Sequence, residues 1–261
     1  MSESCYSGSF YADQRDGSSA SARIVVPLLC ELFAPTSVVD VGCGVGGWLS
    51  EFRRQGVEDI VGVDGPWVEP SELSIPVEAF RAIDVSRPIE LERHFDLCLC
   101  LEVAEHVAEK HAQQLVDSLV SLAPLVVFSA AIPLQSGVHH VNEQWPRYWA
   151  SRFESRSYAV LDCVRPRIWE NDNVQWWYAQ NMLVFARRDV LPRRPDLRRL
   201  ADRTQRNMLN LVHPRMLAMA GKSGSAISGA RSWGCRLRSL VHGALKGLSP
   251  RVSKRSGDRR C

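Results

Sequence analysis

The stretch VVDVGCGVGGW, residues 38–48, limits the possible folds more than any other part of this chain. Four glycines fall within six positions, directly after an apolar run that carries one acid, Asp40. An apolar run that breaks into glycines reads as a buried strand entering a tight turn, because glycine alone adopts positive φ at no steric cost. Such a turn also lets a ligand approach the backbone closely. Gly42-x-Gly44-x-x-Gly47 matches the dinucleotide fingerprint letter for letter, and Asp64 follows at a suitable distance for a ribose contact. Glycines also build turns that bind nothing, so the remaining residues must discriminate.

Apolar strands alternate with helical stripes along most of the chain. Strands are expected at 37–42, 59–64, 77–84, 95–102, 124–132, 158–164 and 181–188. Helices are expected at 21–33, 48–56, 107–122 and around 144–155, with Pro27 either kinking the first or marking its start. This alternation implies βαβ units and an α/β, doubly wound, mostly parallel sheet. The first, fourth and fifth strands are nearly unbroken apolar runs, as strands covered on both faces should be. A boundary is expected where prolines and arginines interrupt the pattern, giving a catalytic body over 1–188 and an extension over 189–261.

Charge separates the same two regions. Residues 1–188 hold 15 Lys/Arg against 25 Asp/Glu, whereas residues 189–261 hold 17 against 4. Within the basic part, residues 230–248 place Trp233, Leu237, Leu240, Val241, Ala244, Leu245 and Leu248 on one helical stripe. Arg231, Arg236, Arg238, His242 and Lys246 fall largely off it. This pattern suits weak association with an anionic membrane surface, and less well a nucleic acid. No apolar run approaches the ~20 residues of a membrane span. No basic-then-apolar leader opens the sequence, so a cytoplasmic location is expected, peripheral at the inner membrane surface if the tail binds there. None of the eight cysteines forms a C-x-x-C pair, and Cys98 and Cys100 read as small buried hydrophobes on one strand face.

The acids indicate what sits over the glycine turn. Asp40 lies within the first strand, Asp64 ends the second, Asp84 the third and Glu102 the fourth. In a doubly wound sheet these strand ends face one crevice. A pyrophosphate would be repelled there, whereas a cation bearing a ribose diol would fit. S-adenosylmethionine (SAM) is such a molecule, with a sulfonium, an ammonium and a ribose. A nicotinamide oxidoreductase is the reading this charge pattern disfavours.

At this point the sequence resembles a known family. VVDVGCGVGGWLSEF, IVGVDG, AIDVSRP and FDLCLCLEVAEHV are similar to the successive motifs of class I SAM-dependent methyltransferases. HHVNEQWPRYWASRFESRSY and RPRIWENDNVQWWYAQNMLVFA resemble a bacterial subgroup often met in glycan and natural-product contexts. The resemblance implies a seven-stranded sheet with its last strand antiparallel, and SAM as co-substrate. It implies that Gly42, Gly44 and Gly46 line the methionine end of SAM, with Asp40 helping to hold it. Asp64 would take the ribose hydroxyls, Asp84 and the Val85 backbone the adenine, and Leu101 and Glu102 would run along the methionine portion.

Transfer of a methyl group to a hydroxyl also requires that the acceptor lose a proton, and histidine is the usual base near neutral pH. His140 is the first candidate, followed by His139 and His106. A divalent metal held by His139, His140 and Glu143 is a weaker alternative because their spacing is not diagnostic, and no metal is expected. The resulting expectation is O-methylation of a sugar, glycan or other small hydroxyl compound. The rivals are an RNA- or protein-directed methyltransferase recruited by the basic tail, and a SAM-binding protein without turnover.

Overall fold

The computed structural model describes residues 8–222 of the 261, with side chains from 17 to 219. The chain divides into two compact units, Met1–Met216 and Leu217–Cys261. The basic segment at 230–248 lies outside the described residues.

The first unit contains a seven-stranded sheet in the order β3-β2-β1-β4-β5-β7-β6. Its strands are β1 (Ser37–Val41), β2 (Asp59–Asp64), β3 (Phe80–Ala82), β4 (Leu97–Leu101), β5 (Leu125–Ser129), β6 (Tyr158–Leu161) and β7 (Leu183–Arg187). The pairings among β1 to β5 are parallel, and β7 runs antiparallel to both β5 and β6. This is the expected α/β, Rossmann-like arrangement with an antiparallel last strand. The order reverses at β1, between β2 and β4, and the C-terminal ends of these strands form the switch-point crevice where open α/β sheets bind ligands.

Each face of the sheet buries its own cluster. Val38, Leu97, Leu99, Val127 and Val184 pack on the layer of helices α1 (Gly8–Phe33), α2 (Gly47–Arg54) and α6 (Trp176–Asn181). Val39, Val41, Cys98, Cys100, Val126 and Phe185 pack with Leu115 and Leu119 of α3 (Ala112–Leu122) and with Trp149 and Phe153 of α4 (Pro146–Ser155). Strand alternation explains the split, because successive side chains leave opposite faces. Asp40, in phase with Val38, belongs to the first face.

Several boundaries differ from the sequence expectation. Helix α1 begins at Gly8, not near 21, and Pro27 lies inside it. Its buried positions Ala22, Val25, Val26, Leu29 and Phe33 keep a helical stripe across the proline. The lost N–H bond is tolerated because tertiary packing, not propensity, holds the helix. Strand β3 has only three residues, so Asp84 follows it instead of ending it. Helix α3 starts at Ala112, after two short 3-10 turns at Ala104–His106 and Glu109–His111.

The compact unit also continues past residue 188. Helix α5 (Arg165–Ile168) carries Arg165, only 1% exposed. Its guanidinium forms a bidentate pair with Asp162 at 2.6 and 2.8 Å and donates to the Leu209 carbonyl at 2.8 Å. Leu197 of α7 (Pro195–Arg203) is buried in the first cluster and Leu209 in the second. Residues 189–216 therefore contribute to both core clusters, through Leu197 and Leu209. A further helix, α8, spans Pro214–Lys222. Among the described residues no helix is long and apolar enough to cross a membrane, and the described cysteines are unpaired thiols.

Candidate active site

The site begins with the turn after β1. Gly42 has φ 80° and its N–H donates to the Val63 carbonyl at 2.7 Å. Gly44 has φ 54°, and Gly46, at φ 82°, is the N-cap of α2. Gly47 is an ordinary first helical residue with no positive φ. The glycines that the backbone requires are therefore 42, 44 and 46, as in the methyltransferase resemblance, and not the literal dinucleotide spacing. They differ in what surrounds them. A Cβ at Gly42 would lie 2.2 Å from Val103 Cγ2, whereas one at Gly44 would meet nothing within 4 Å. Gly42 is thus required by packing and conformation, and Gly44 presents bare backbone. Gly42→Ala is expected to destabilise the fold by about 3 kcal/mol or more, from overpacking combined with a left-handed backbone. Chemical denaturation checks this, and a loss under 1 kcal/mol would contradict the tight contact.

Asp64 closes the turn from β2. Its Oδ2 accepts from the Gly44 N–H at 2.7 Å and its Oδ1 from the Gly65 N–H at 2.6 Å. Burial raises its pKa, against the pull of these two N–H groups and the Trp67 side chain. Asp40 is 3% exposed, and its pKa is pushed up to about 7, first by burial and then by the Asp64 charge.

Leu101, the last residue of β4, is buried, and Glu102, which follows the strand instead of ending it, has φ 55°, an uncommon conformation for a non-glycine residue. Its N–H donates to the Ser129 carbonyl at 2.9 Å. Its carboxylate accepts from Gln135 Nε2 at 3.0 Å and from Asn181 Nδ2 at 3.2 Å. Burial raises the Glu102 pKa, opposed by Ser129, Asn181, Gln135 and His140. Glu105, three residues on, is 1% exposed, and neither carboxylate oxygen has a hydrogen-bond partner. Burial and then the Glu102 charge drive its pKa well above the carboxylate range.

The acids whose pKa burial raises are consequently Asp40, Asp64, Glu102 and Glu105. Burial of Asp84 is outweighed by the Ser86 hydroxyl and N–H and by Arg87, which hold its pKa low. Its Oδ1 accepts from both Ser86 groups, at 2.7 and 2.9 Å. Val85, beside it, packs against the second core cluster. Sequence reading missed Glu105 along with Gln135 and Asn181. The signal available was Glu102-x-x-Glu105-His106 immediately after a buried strand.

The histidines gather beside Glu105. The rings of His106 and His140 meet edge to face with centroids 5.0 Å apart. His140 Nδ1 lies 2.9 Å from Glu143 Oε1, and Glu143 Oε2 accepts from the Leu134 N–H at 2.9 Å. The His106 pKa falls to about 4, chiefly through burial and then the neighbouring His140, despite a hydrogen bond with the His139 backbone. His139 itself has φ 59°. The Val141 and Asn142 N–H groups both donate to the Glu105 carbonyl, at 2.9 and 3.0 Å, fastening this loop to the 104–106 turn. Of the two tryptophans that flank the start of α4, Trp149 is core while Trp145 is 38% exposed.

A glycine turn under buried carboxylates at the switch point suits a cationic cosubstrate. The sequence profile of a methyltransferase domain matches residues 11–205. The chain belongs to the methyltransferase-domain family. The methyltransferase uses SAM as its co-substrate. Solved structures with a similar fold include magnesium protoporphyrin IX methyltransferase (ChlM) from Synechocystis PCC 6803 with bound SAH. That match has 18% identity, covers 68% of this chain and 87% of the other, and gives a TM-score of 0.50. The plantazolicin methyltransferase BpumL is similar at 13% identity over 69% and 88% of the two chains, again with a TM-score of 0.50. Streptomyces venezuelae DesVI matches at 19% identity and a TM-score of 0.41, over 49% of this methyltransferase and 57% of that chain. At these identities the likeness is one of fold. No curated protein matches significantly.

Proposed function

We propose that this methyltransferase moves a methyl group from SAM to a hydroxyl oxygen of a small-molecule or glycan-like acceptor, with His140 taking the acceptor's proton. The observation that carries this reading is the His140–Glu143 contact at 2.9 Å, beside Glu102 at the end of β4. A carboxylate on Nδ1 fixes the tautomer and leaves Nε2 to act as base, the base-and-orienter arrangement of proton-abstracting sites. His106, held neutral by burial, and His139 shape the same rim. Leu134, Val138, Val141 and Trp145 are exposed on the same segment and offer an apolar surface to a ring face.

In this reading the backbone of Gly42, Gly44 and Gly46 lies under the methionine end of SAM. Asp64 receives the ribose hydroxyls, and Asp40 and Glu102 face the cationic portion beside Leu101. Asp84 and the Val85 backbone border the adenine. The acceptor oxygen attacks the methyl carbon in line, the C–S electron pair returns to sulfur, and His140 carries off the proton. The protein's work is alignment and exclusion of water. The catalytic body comprises residues up to about 216, and the glycan character of the acceptor rests on the subgroup resemblance. Incubation with SAM and a panel of hydroxyl acceptors, followed by mass spectrometry, tests it. Methylation confined to nitrogen or carbon acceptors would reject it.

Asp40 supplies a second measurement. A carboxyl with a folded pKa near 7 and an ordinary unfolded pKa binds more protons when folded, so stability falls as pH rises from about 4 to about 7. The span corresponds to roughly 4 kcal/mol. Asp40→Asn should flatten this dependence and be the more stable protein above pH 7. SAM's positive charge favours the ionised carboxylate, so binding near pH 6.5 should release a substantial fraction of a proton, and at pH 9 almost none. Calorimetry in buffers of different ionisation enthalpy measures it, and equal release at both values would remove Asp40 from the cation's surroundings.

A further inference from the structure

We infer that Glu105, His106 and His140 form a binding site for a divalent first-row transition-metal ion at the rim of the methyl-transfer site, with Glu143 orienting His140. One ligand atom from each of the three lies within 4.8 Å of the others. An ion bonded at about 2.0–2.2 Å to a carboxylate and two imidazoles in tetrahedral geometry holds its ligand atoms roughly 3.3–3.6 Å apart. Closing the set on an ion therefore requires side-chain rotations that bring these atoms together by up to about 1.5 Å.

Three further features point to an ion instead of a chance cluster. Glu105 is buried, no hydrogen bond of ordinary geometry reaches either of its oxygens, and the charge beside it is another carboxylate, Glu102, although a buried carboxylate ordinarily requires compensation. His106 Nδ1 is likewise buried and without a partner. His140 is held through Nδ1 by Glu143, which leaves Nε2 for a ligand and supplies the carboxylate–histidine contact that metal sites use to fix a ring. The scaffold is also rigid: the Glu105 carbonyl accepts from the Val141 and Asn142 N–H groups, so the loop bearing His140 is tied to the turn bearing the other two ligands. Glu102 is left out of the ligand set because its oxygens already accept from Gln135 and Asn181.

Two imidazoles and one carboxylate favour Zn²⁺, Co²⁺, Fe²⁺ or Mn²⁺ over Mg²⁺ and Ca²⁺, which prefer all-oxygen shells. Three protein ligands leave positions open, the pattern of catalytic sites. The role rests on the hydroxyl-acceptor reading above. A coordinated hydroxyl becomes acidic enough to release its proton to water, its oxygen then bonds to the methyl carbon, and the departing pair stays on sulfur. His140 thus takes the acceptor's proton in the metal-free protein, whereas in the metal-loaded protein it holds the ion and the more acidic hydroxyl gives its proton to water, so metal removal should slow transfer without abolishing it.

The test uses the full chain, freed of metal by a chelator and titrated with Co²⁺ alone. One equivalent should bind with a visible d–d spectrum, and Zn²⁺ but not Mg²⁺ should displace it. Glu105→Gln and His106→Gln should abolish the spectrum. Glu143→Gln, which touches no ion, should weaken Co²⁺ binding by about 10- to 100-fold. SAM affinity, measured in chelator on each variant, should stay within about twofold, which guards against misfolding as the explanation. No stoichiometric spectrum in a protein that binds SAM normally would overturn the site, as would Co²⁺ binding indifferent to these substitutions. Full turnover in chelator would overturn the role in transfer. A positive titration together with failure to methylate any hydroxyl would instead reject the acceptor reading and leave the metal site standing.

Discussion

His140→Ala is expected to lower methyl transfer by about 100- to 10,000-fold while changing SAM affinity by less than about twofold. The lower bound is the usual contribution of a positioned proton acceptor, and the upper bound allows for the nucleophile remaining a neutral hydroxyl. The split follows from position. His140 lies on the loop after β5, fastened to the 104–106 turn, while the carboxylates facing the glycine turn come from β1 and β2. Release of S-adenosylhomocysteine with an accepted hydroxyl substrate gives turnover, and calorimetry gives the affinity. Glu143→Gln should produce a smaller loss, because the amide still offers an acceptor to Nδ1 and keeps the ring in place, though less firmly than the carboxylate. If His140→Ala retained full activity, neither a base nor a metal ligand at this position would survive.

Asp64→Ala is expected to raise the SAM dissociation constant by about 100-fold, equivalent to about 2.7 kcal/mol. Charge-assisted hydrogen bonds to a diol would be lost at about 1.5–3 kcal/mol each. The turn also loses its clamp, since the Gly44 and Gly65 N–H groups both depend on this carboxylate. Removing the charge simultaneously lets the Asp40 pKa fall, which recovers part of the electrostatic attraction for a cation. Asp64→Asn should be intermediate in affinity, because it keeps an acceptor for one N–H and confronts the other with a donor. An unchanged dissociation constant for Asp64→Ala in a folded protein would exclude it from the cosubstrate site.

The legible part of the sequence was that governed by local periodicity and backbone chemistry. The apolar runs around 38–41, 97–101 and 125–129 became the central strands because residues buried on both faces leave a continuous signature. The glycine turn was equally readable as a turn, but its spacing alone pointed to Gly42, Gly44 and Gly47, whereas the left-handed positions are 42, 44 and 46, the three that the family resemblance implied. Short elements were not: β3 is an edge strand of three residues, and its apolar flank at 77–79 forms a 3-10 turn. Glu105 left only the trace of its spacing from Glu102 and His106, because a polar–apolar mixture does not separate a carboxylate turned inward from one in solvent. The contacts of Gln135 and Asn181 with Glu102 span 33 and 79 positions. No local pattern encodes such separations. Asp84 shows the converse, since its position at a strand end looked equivalent to the other three while its own Ser86 satisfies it.

The first helix carries a practical implication. Ser18 Oγ accepts from Trp48 Nε1 at 2.9 Å and meets the Tyr178 hydroxyl at 3.2 Å, so the helix that begins at Gly8 latches onto the start of α2 and onto α6. A truncated variant starting after residue 33 would strip Val25, Val26 and Leu29 from the layer above the glycine turn and expose a greasy patch to its neighbours. Shortened versions made for crystallisation or isotope labelling should therefore clump or lose cosubstrate.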